Sequence, residues 1–270
     1  MKFQYIFRLI IIPAFFLAFS SCQKVIQIDL NSADPHIVIE GNINDQPAPY
    51  TIKISRTVNF DQNNIFPHVT GAQVIITDNT GLVDTLKEVS SGIYQTTKTI
   101  GYPGYTYNLS VKTDGNTYIS SGTMPSPVTI DTLTVQTTPG SGPGSGGKPN
   151  KQIRVLFKDQ PGVVNYYRIV LKVNDSILNA IRVVTDQFRD GENFNVAVRG
   201  EDYQINSGDS IKVYLQTIDK KIYDYFRALD NQGGGIQQSG SPANPPTNLS
   251  GDALGYFNVY SVRTKTIRVP

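Results

Sequence analysis

Cys22 is the only cysteine in this 270-residue chain, and its position suggests chemistry. It follows a basic leader with Lys2 and Arg8, an apolar run of eleven residues from Leu9 to Phe19, and the small pair Ser20-Ser21. So short a run does not cross a bilayer as a helix, and Pro13 interrupts it. The order of parts is that of a secretion signal, residues 1–21, and a cysteine directly after the cleavage point makes it a lipoprotein signal. The thiol of Cys22 would become a diacylglycerol thioether and the freed α-amino group would be acylated. At about 0.8 kcal/mol per buried methylene, several acyl chains anchor a protein stably to a membrane. Cys22 is thus the expected lipidation site. A plain secretory signal would leave an odd free thiol in an oxidising compartment.

The remaining reactive types are sparse. A Ser-His-Asp arrangement needs a histidine base held by a carboxylate near a nucleophile. The two histidines, His36 beside Pro35 and His68 beside Pro67, have no nucleophile-elbow sequence near them and read as surface residues. Two isolated histidines and a lipidated cysteine make no zinc ligand set. Asp186, Asp190 and Glu192 gather around Gly191 and could offer oxygen ligands to calcium. Their spacing is not that of an EF-hand loop, and a solvated loop is the plainer reading. The Glu201-Asp202 pair beyond Arg199 is weaker still. The glycine tract lacks the lysine and following helix of a phosphate-binding loop. We therefore expect no catalytic residue, no metal site and no cofactor. Among the 15 tyrosines, Tyr102-Pro103-Gly104, Tyr105 and the pair Tyr166-Tyr167 are candidates for loop contacts, with the ligand-binding residues unknown.

Without residues 1–21 the chain carries 22 basic and 22 acidic residues, so no basic face for nucleic acid is expected. Charged residues make up only 17%, and Thr, Val, Ile and Tyr are abundant, a mixture that favours strands.

Residues 22–34 read as lipid anchor and tether, the twelve after Cys22 spanning at most ~40 Å. Ile37-Val38-Ile39 opens the strands, and Tyr50, Ile52 and Ile54 alternate with Thr51, Lys53 and Ser55. Val74 to Thr77 ends in the turn Asp78-Asn79-Thr80-Gly81, after which Leu82 to Leu86 returns. Tyr105, Tyr107, Leu109 and Val111 share one face, and Asp114-Gly115 turns the chain into Tyr118-Ile119-Ser120. This spacing predicts a β-sandwich over 35–124, bounded by Pro125-Ser126-Pro127. A second sandwich, 125–270, would hold the strands around Ile153–Phe157, Tyr167–Val173 and Ile211–Leu215. It would also hold a short helix over 220–230, capped by Asp219, and last strands from Tyr256 to Val262 and through Ile267 and Val269. The Gly/Pro-rich insertion 139–149 is expected within a hairpin, the alternative being an interdomain linker. The fold class is mostly β, with two tandem immunoglobulin-like or fibronectin-like sandwiches.

The ordered features Ile37-Val38-Ile39-Glu40-Gly41, Gly92-Ile93-Tyr94, Gly101-Tyr102-Pro103-Gly104-Tyr105-Thr106-Tyr107, Asn165-Tyr166-Tyr167-Arg168, Gly208-Asp209 and Leu254-Gly255-Tyr256-Phe257 follow Cys22. In this the chain resembles the Bacteroidota lipoproteins grouped as domain of unknown function 4249. The resemblance implies an outer-membrane lipoprotein, without catalytic activity, that works as ligand-capture accessory or docking partner of a TonB-dependent transporter. It carries over no catalytic residue. A surface-facing placement is expected over a periplasm-facing one, although Gln23-Lys24-Val25 replace the acidic residues that often follow the lipidated cysteine in exported members. A cell-surface adhesin or envelope scaffold is the alternative function.

Overall fold

Alternation of apolar and polar residues organises the chain. Ile52 and Ile54 are buried between the more exposed Thr51, Lys53 and Ser55, as are Tyr107, Leu109 and Val111 between Thr106, Asn108, Ser110 and Lys112. The computed structural model describes residues 34–59, 65–138, 150–178, 181–198, 205–233 and 244–270. The signal, Cys22, the tether to residue 33, the tract 139–149 and the Arg199, Glu201 and Asp202 group lie outside them.

The first strands are β1 (Ile37–Asn44), β2 (Thr51–Arg56), β3 (Gln73–Asp78), β4 (Val83–Thr85), β5 (Lys87–Ser90), β6 (Ile93–Gln95), β7 (Thr106–Thr113) and β8 (Asn116–Thr123). There follow β9 (Thr132–Thr138), β10 (Asn150–Lys158), β11 (Tyr166–Val173), β12 (Ser176–Ile177), β13 (Arg182–Thr185), β14 (Asn193–Val198) and β15 (Ser210–Ile218). Helix α1 (Lys220–Gly233) and the long β16 (Leu254–Arg268) complete the order. The chain is mostly β, and α1 is the one helix among the described residues. The Asp219 carboxylate caps it by accepting the Ile222 N–H at 2.8 Å. The helix extends three residues past the expected 230.

Three sheets form. The largest has nine strands in the order β12-β11-β15-β16-β1-β2-β6-β5, with β13 also paired to β11. A four-stranded sheet, β4-β3-β7-β8, shares a core with β1, β2, β6 and the start of β16. A three-stranded sheet, β14-β10-β9, shares a second core with β11 and β15. Strands β9 and β10 pair antiparallel up to Thr138 and Asn150, so the tract 139–149 joins the two strands of a hairpin. Met124 is buried in the first core and Val128 in the second, on either side of Pro125-Ser126-Pro127.

Leu82 to Leu86 returns along β3 as the turn predicts: β4 pairs antiparallel with β3, and the Leu86 N–H reaches the Val74 carbonyl at 2.9 Å, before β5 crosses to the nine-stranded sheet beside β6. Strand β4 buries Asp84 while exposing Val83, the reverse of an apolar-in pattern. Asp84 accepts the N–H groups of Thr97, Lys98 and Thr99 and the hydroxyls of Thr97 and Thr99, all within 2.9 Å. Burial by itself would raise its pKa, but these donors outweigh burial and hold the carboxyl far below the usual carboxylate range.

The structure corrects the sequence reading at the end of the chain, where a single fifteen-residue strand replaces two short ones. Residues 254–260 of β16 run parallel to β1, and residues 261–268 run antiparallel to β15. Gly255 (φ +94°) permits the entry, since a Cβ there would meet the Ile39 carbonyl oxygen at 2.2 Å. In its first half β16 lacks β15 as a neighbour, and Asn248 substitutes for it. The Asn248 side chain accepts the Phe257 N–H at 2.9 Å and donates to the Phe257 carbonyl at 2.8 Å. At the crossover, Asp45 accepts the Val262 N–H at 2.9 Å and pairs with Arg263 at 2.5 Å.

Asn248→Ala would leave the backbone groups of buried Phe257 unpaired. It should cost roughly 2–4 kcal/mol, read as a lower urea midpoint with unchanged slope. Asp84 has a depressed folded pKa, so its contribution is complete above the unfolded value of about 3.9 and drains away as pH falls below that. Asp84→Asn should lose about 2–3 kcal/mol at neutral pH and show a shallower loss of stability between about pH 4 and 2 than the parent chain.

Candidate functional site

Strand pairing brings together acidic residues that are far apart in the chain. Strand β10 pairs with β14, with Lys158 opposite Asn193, and β11 pairs with β13, with Tyr166 opposite Thr185. Asp159 directly follows β10 and Asp186 directly follows β13. The loop 159–165 and the loop 186–192 therefore meet at one end of the second core. Backbone bonds join them: Asp159 N–H to the Glu192 carbonyl at 3.0 Å, and Asp186 N–H to the Asn165 carbonyl at 3.3 Å.

Asp159, Asp186 and Asp190 converge there, with one carboxylate oxygen of each inside 4.8 Å of the others. Asp159 and Asp186 are only 2% and 1% exposed, while Asp190 faces solvent. Asp159 accepts the Tyr167 hydroxyl and the Gly191 N–H, the latter at 2.8 Å. Asp186 accepts the Asn165 N–H at 2.8 Å through Oδ1, and its buried Oδ2 has no hydrogen-bond partner. Asp190 receives the Gly162 N–H on both oxygens, at 2.9 and 3.1 Å. Burial pushes the Asp186 pKa up; the Asn165 N–H opposes the rise and the Asp159 carboxylate adds to it. Burial and then Asp159 likewise push the Tyr167 hydroxyl far above its ordinary value.

The sequence grouping of Asp186, Asp190 and Glu192 is thus only partly brought together. Glu192 turns away to Arg189 at 3.0 Å, whose guanidinium lies 4.6 Å from the centre of the Phe194 ring. Asp159, unremarked in the sequence, takes its place. The same loops expose large apolar side chains, Phe188 (90% exposed), Val163 (62%) and Val164 (54%). A groove of about 360 Å³ lies alongside, lined by Ser126, Gln160, Val163, Asn165, Tyr166 and Lys220.

The other sequence candidates are placed differently. His36 sits 3.6 Å from Asp252 at the surface, and exposed His68 bridges to Ser55. Tyr102 is half exposed against Tyr105, in a loop pinned from below. There the Tyr107 hydroxyl donates to the Ile100 carbonyl and accepts the Tyr102 N–H, both at 2.8 Å, and the Tyr50 hydroxyl accepts the Gly101 N–H at 2.9 Å. Tyr167 is wholly buried, whereas Tyr166 lines the groove and packs on Tyr223.

A second polar region lies under α1. The Arg168 guanidinium is 3.9 Å from the Phe226 ring centre and donates to Gln216 at 3.3 Å, while its Nε has no partner. Burial lowers its pKa, partly offset by Tyr256 and Tyr260. Glu40, Asn42, Asn44, Lys53 and Tyr256 line a polar cavity of about 300 Å³ on the same sheet.

Tyr167→Phe should cost about 2 kcal/mol, because it removes one donor from a buried carboxylate. Equilibrium urea unfolding measures it. A loss under about 0.5 kcal/mol would show that Asp159 does not depend on that hydroxyl.

The motifs set out from the sequence fall at these points: Val38–Gly41 pairs with Leu254–Phe257, and Asn165–Arg168 runs from the carboxylate cluster to the buried arginine. None of the curated proteins matches this chain. The sequence model of the family described as a domain of unknown function, DUF4249, matches residues 23–266, and the chain belongs to that family.

Proposed function

We propose that this chain is a lipid-anchored outer-membrane protein without catalytic activity that docks on a TonB-dependent transporter, where it helps to capture the transported ligand. Cys22 supplies the anchor on this reading, and the sequence between it and Pro35 supplies the reach. The observation that carries the docking role is the exposed apolar loop end, where Phe188, Val163 and Val164 project from a β framework. Exposed apolar groups gathered on neighbouring loops mark contact surfaces, and rigid strands beneath them keep the ordering cost of contact low. The two cores are read as tandem immunoglobulin-like or fibronectin-like sandwiches that share β16. No helix among the described residues is long and apolar enough to cross a membrane.

The lipidated protein, recovered from native outer membranes in mild detergent, should bring down a TonB-dependent transporter identifiable by mass spectrometry. Cys22→Ser should move the protein out of the membrane fraction. Phe188→Asp combined with Val163→Asp should keep it there while cutting transporter recovery roughly tenfold or more. Recovery of no integral partner would sink the docking role and favour an adhesin or envelope scaffold.

A further inference from the structure

The loops 159–165 and 186–192 enclose two buried carboxylates, Asp159 and Asp186. Asp159 and Asp186 are buried side by side, and among the described residues neither forms an ion pair with lysine or arginine. Arg189, on the same loop, is committed to Glu192 and to the face of Phe194. Uncompensated buried charge is costly, so such a pair calls for a positive partner. Asp186 Oδ2 adds an independent indication, being a buried acceptor with no donor.

From this geometry we infer that Asp159, Asp186 and Asp190 hold a calcium ion. The ligand set is all oxygen, which suits a hard cation. Calcium binds oxygen at about 2.4 Å, so two ligands of one ion lie at most ~4.8 Å apart. The three carboxylate oxygens fall inside that limit. The N–H groups of Gly191, Asn165 and Gly162 do not exhaust these carboxylates, since each oxygen has two lone pairs. Asp190 faces solvent, which opens a path for entry and room for water ligands. Magnesium is the poorer fit, because it demands a tight octahedron at about 2.1 Å, and irregular loops adapt more readily to calcium. The ion ties the β10–β11 loop to the β13–β14 loop and so steadies Val163, Val164 and Phe188.

The test uses the purified full chain, stripped with EGTA, and calcium chloride as the only addition. Saturating calcium should raise the thermal midpoint by about 5 °C, with magnesium giving less than half of that. Because the chain has 15 tyrosines and no tryptophan, terbium bound at the site should luminesce on tyrosine excitation, with Tyr167 beside Asp159, and calcium should quench the signal by displacement. Asp186→Asn should abolish both effects. Asp190→Asn, at an exposed position less needed for folding, should weaken the terbium signal at least tenfold. The inference is overturned if calcium leaves the parent midpoint unchanged, or if both variants keep the parent's calcium shift. A parent indifferent to calcium alongside a metal-free Asp186→Asn of higher midpoint would also overturn it, assigning a shared proton to the carboxylate pair.

Discussion

The strand β16 is needed by two hydrophobic cores at once, and much of the molecule is arranged around that demand. Its first half lies parallel to β1 and buries Phe257 and Val259 in one core; its second half lies antiparallel to β15 beside the other. A strand that changes neighbours midway exposes backbone groups at each change, and buried groups of this kind must be paired. The chain meets the requirement with side chains: Asn248 beside Phe257, Thr247 on the Gly255 carbonyl, and Asp45 on the Val262 N–H. Helix α1 then covers the opposite face through Tyr225 and Phe226 against Tyr256. Gly255 and Gly41 complete the fit, since a side chain at the first would strike β1 and at the second would crowd Phe257 and Ile52.

Three buried aspartates illustrate how the same group serves different ends. Asp84 is saturated with donors, and its charge organises the 96–99 segment at little risk. Asp159 has two donors, the Tyr167 hydroxyl and the Gly191 N–H. Asp186 shares its site with Asp159 and keeps one oxygen unpaired, so its charge is costly where that of Asp84 is favourable. The difference separates a carboxylate that builds the fold from a pair that asks for something further. Arg168 poses the complementary case under α1, a cation held by a ring face and an amide and, among the described residues, in no ion pair with a carboxylate.

These features agree with a protein whose work is contact. The sheets hold loops in fixed positions, and the loops carry the groups that distinguish this surface from a generic one. On the proposed reading, fold class does not choose between transport partner and adhesin; that choice lies with what the loop end and the proposed anchor meet.

Strands such as β2 and β7 were legible in the sequence because alternation is a local property, visible over a few residues. The Asp114-Gly115 turn was legible for the same reason, both residues adopting positive φ. The cap of α1 could be read from Asp219 and the periodic Ile222 and Phe226. Local pattern gave no sign that Asp84 is buried, since the donors that hold it come from another segment, and it failed at β16, where each half answers to a different distant partner. Two of the three members of the acidic cluster were legible, since Asp186 and Asp190 are close in sequence. Asp159 was not, because only the pairing of β10 with β14 and of β11 with β13 carries it there. The sequence by itself determined the strand periods and, through Cys22 and the segment before it, the expected anchor. Tertiary structure decided which strand is shared and which carboxylates meet, because both depend on pairing between residues that the chain holds far apart.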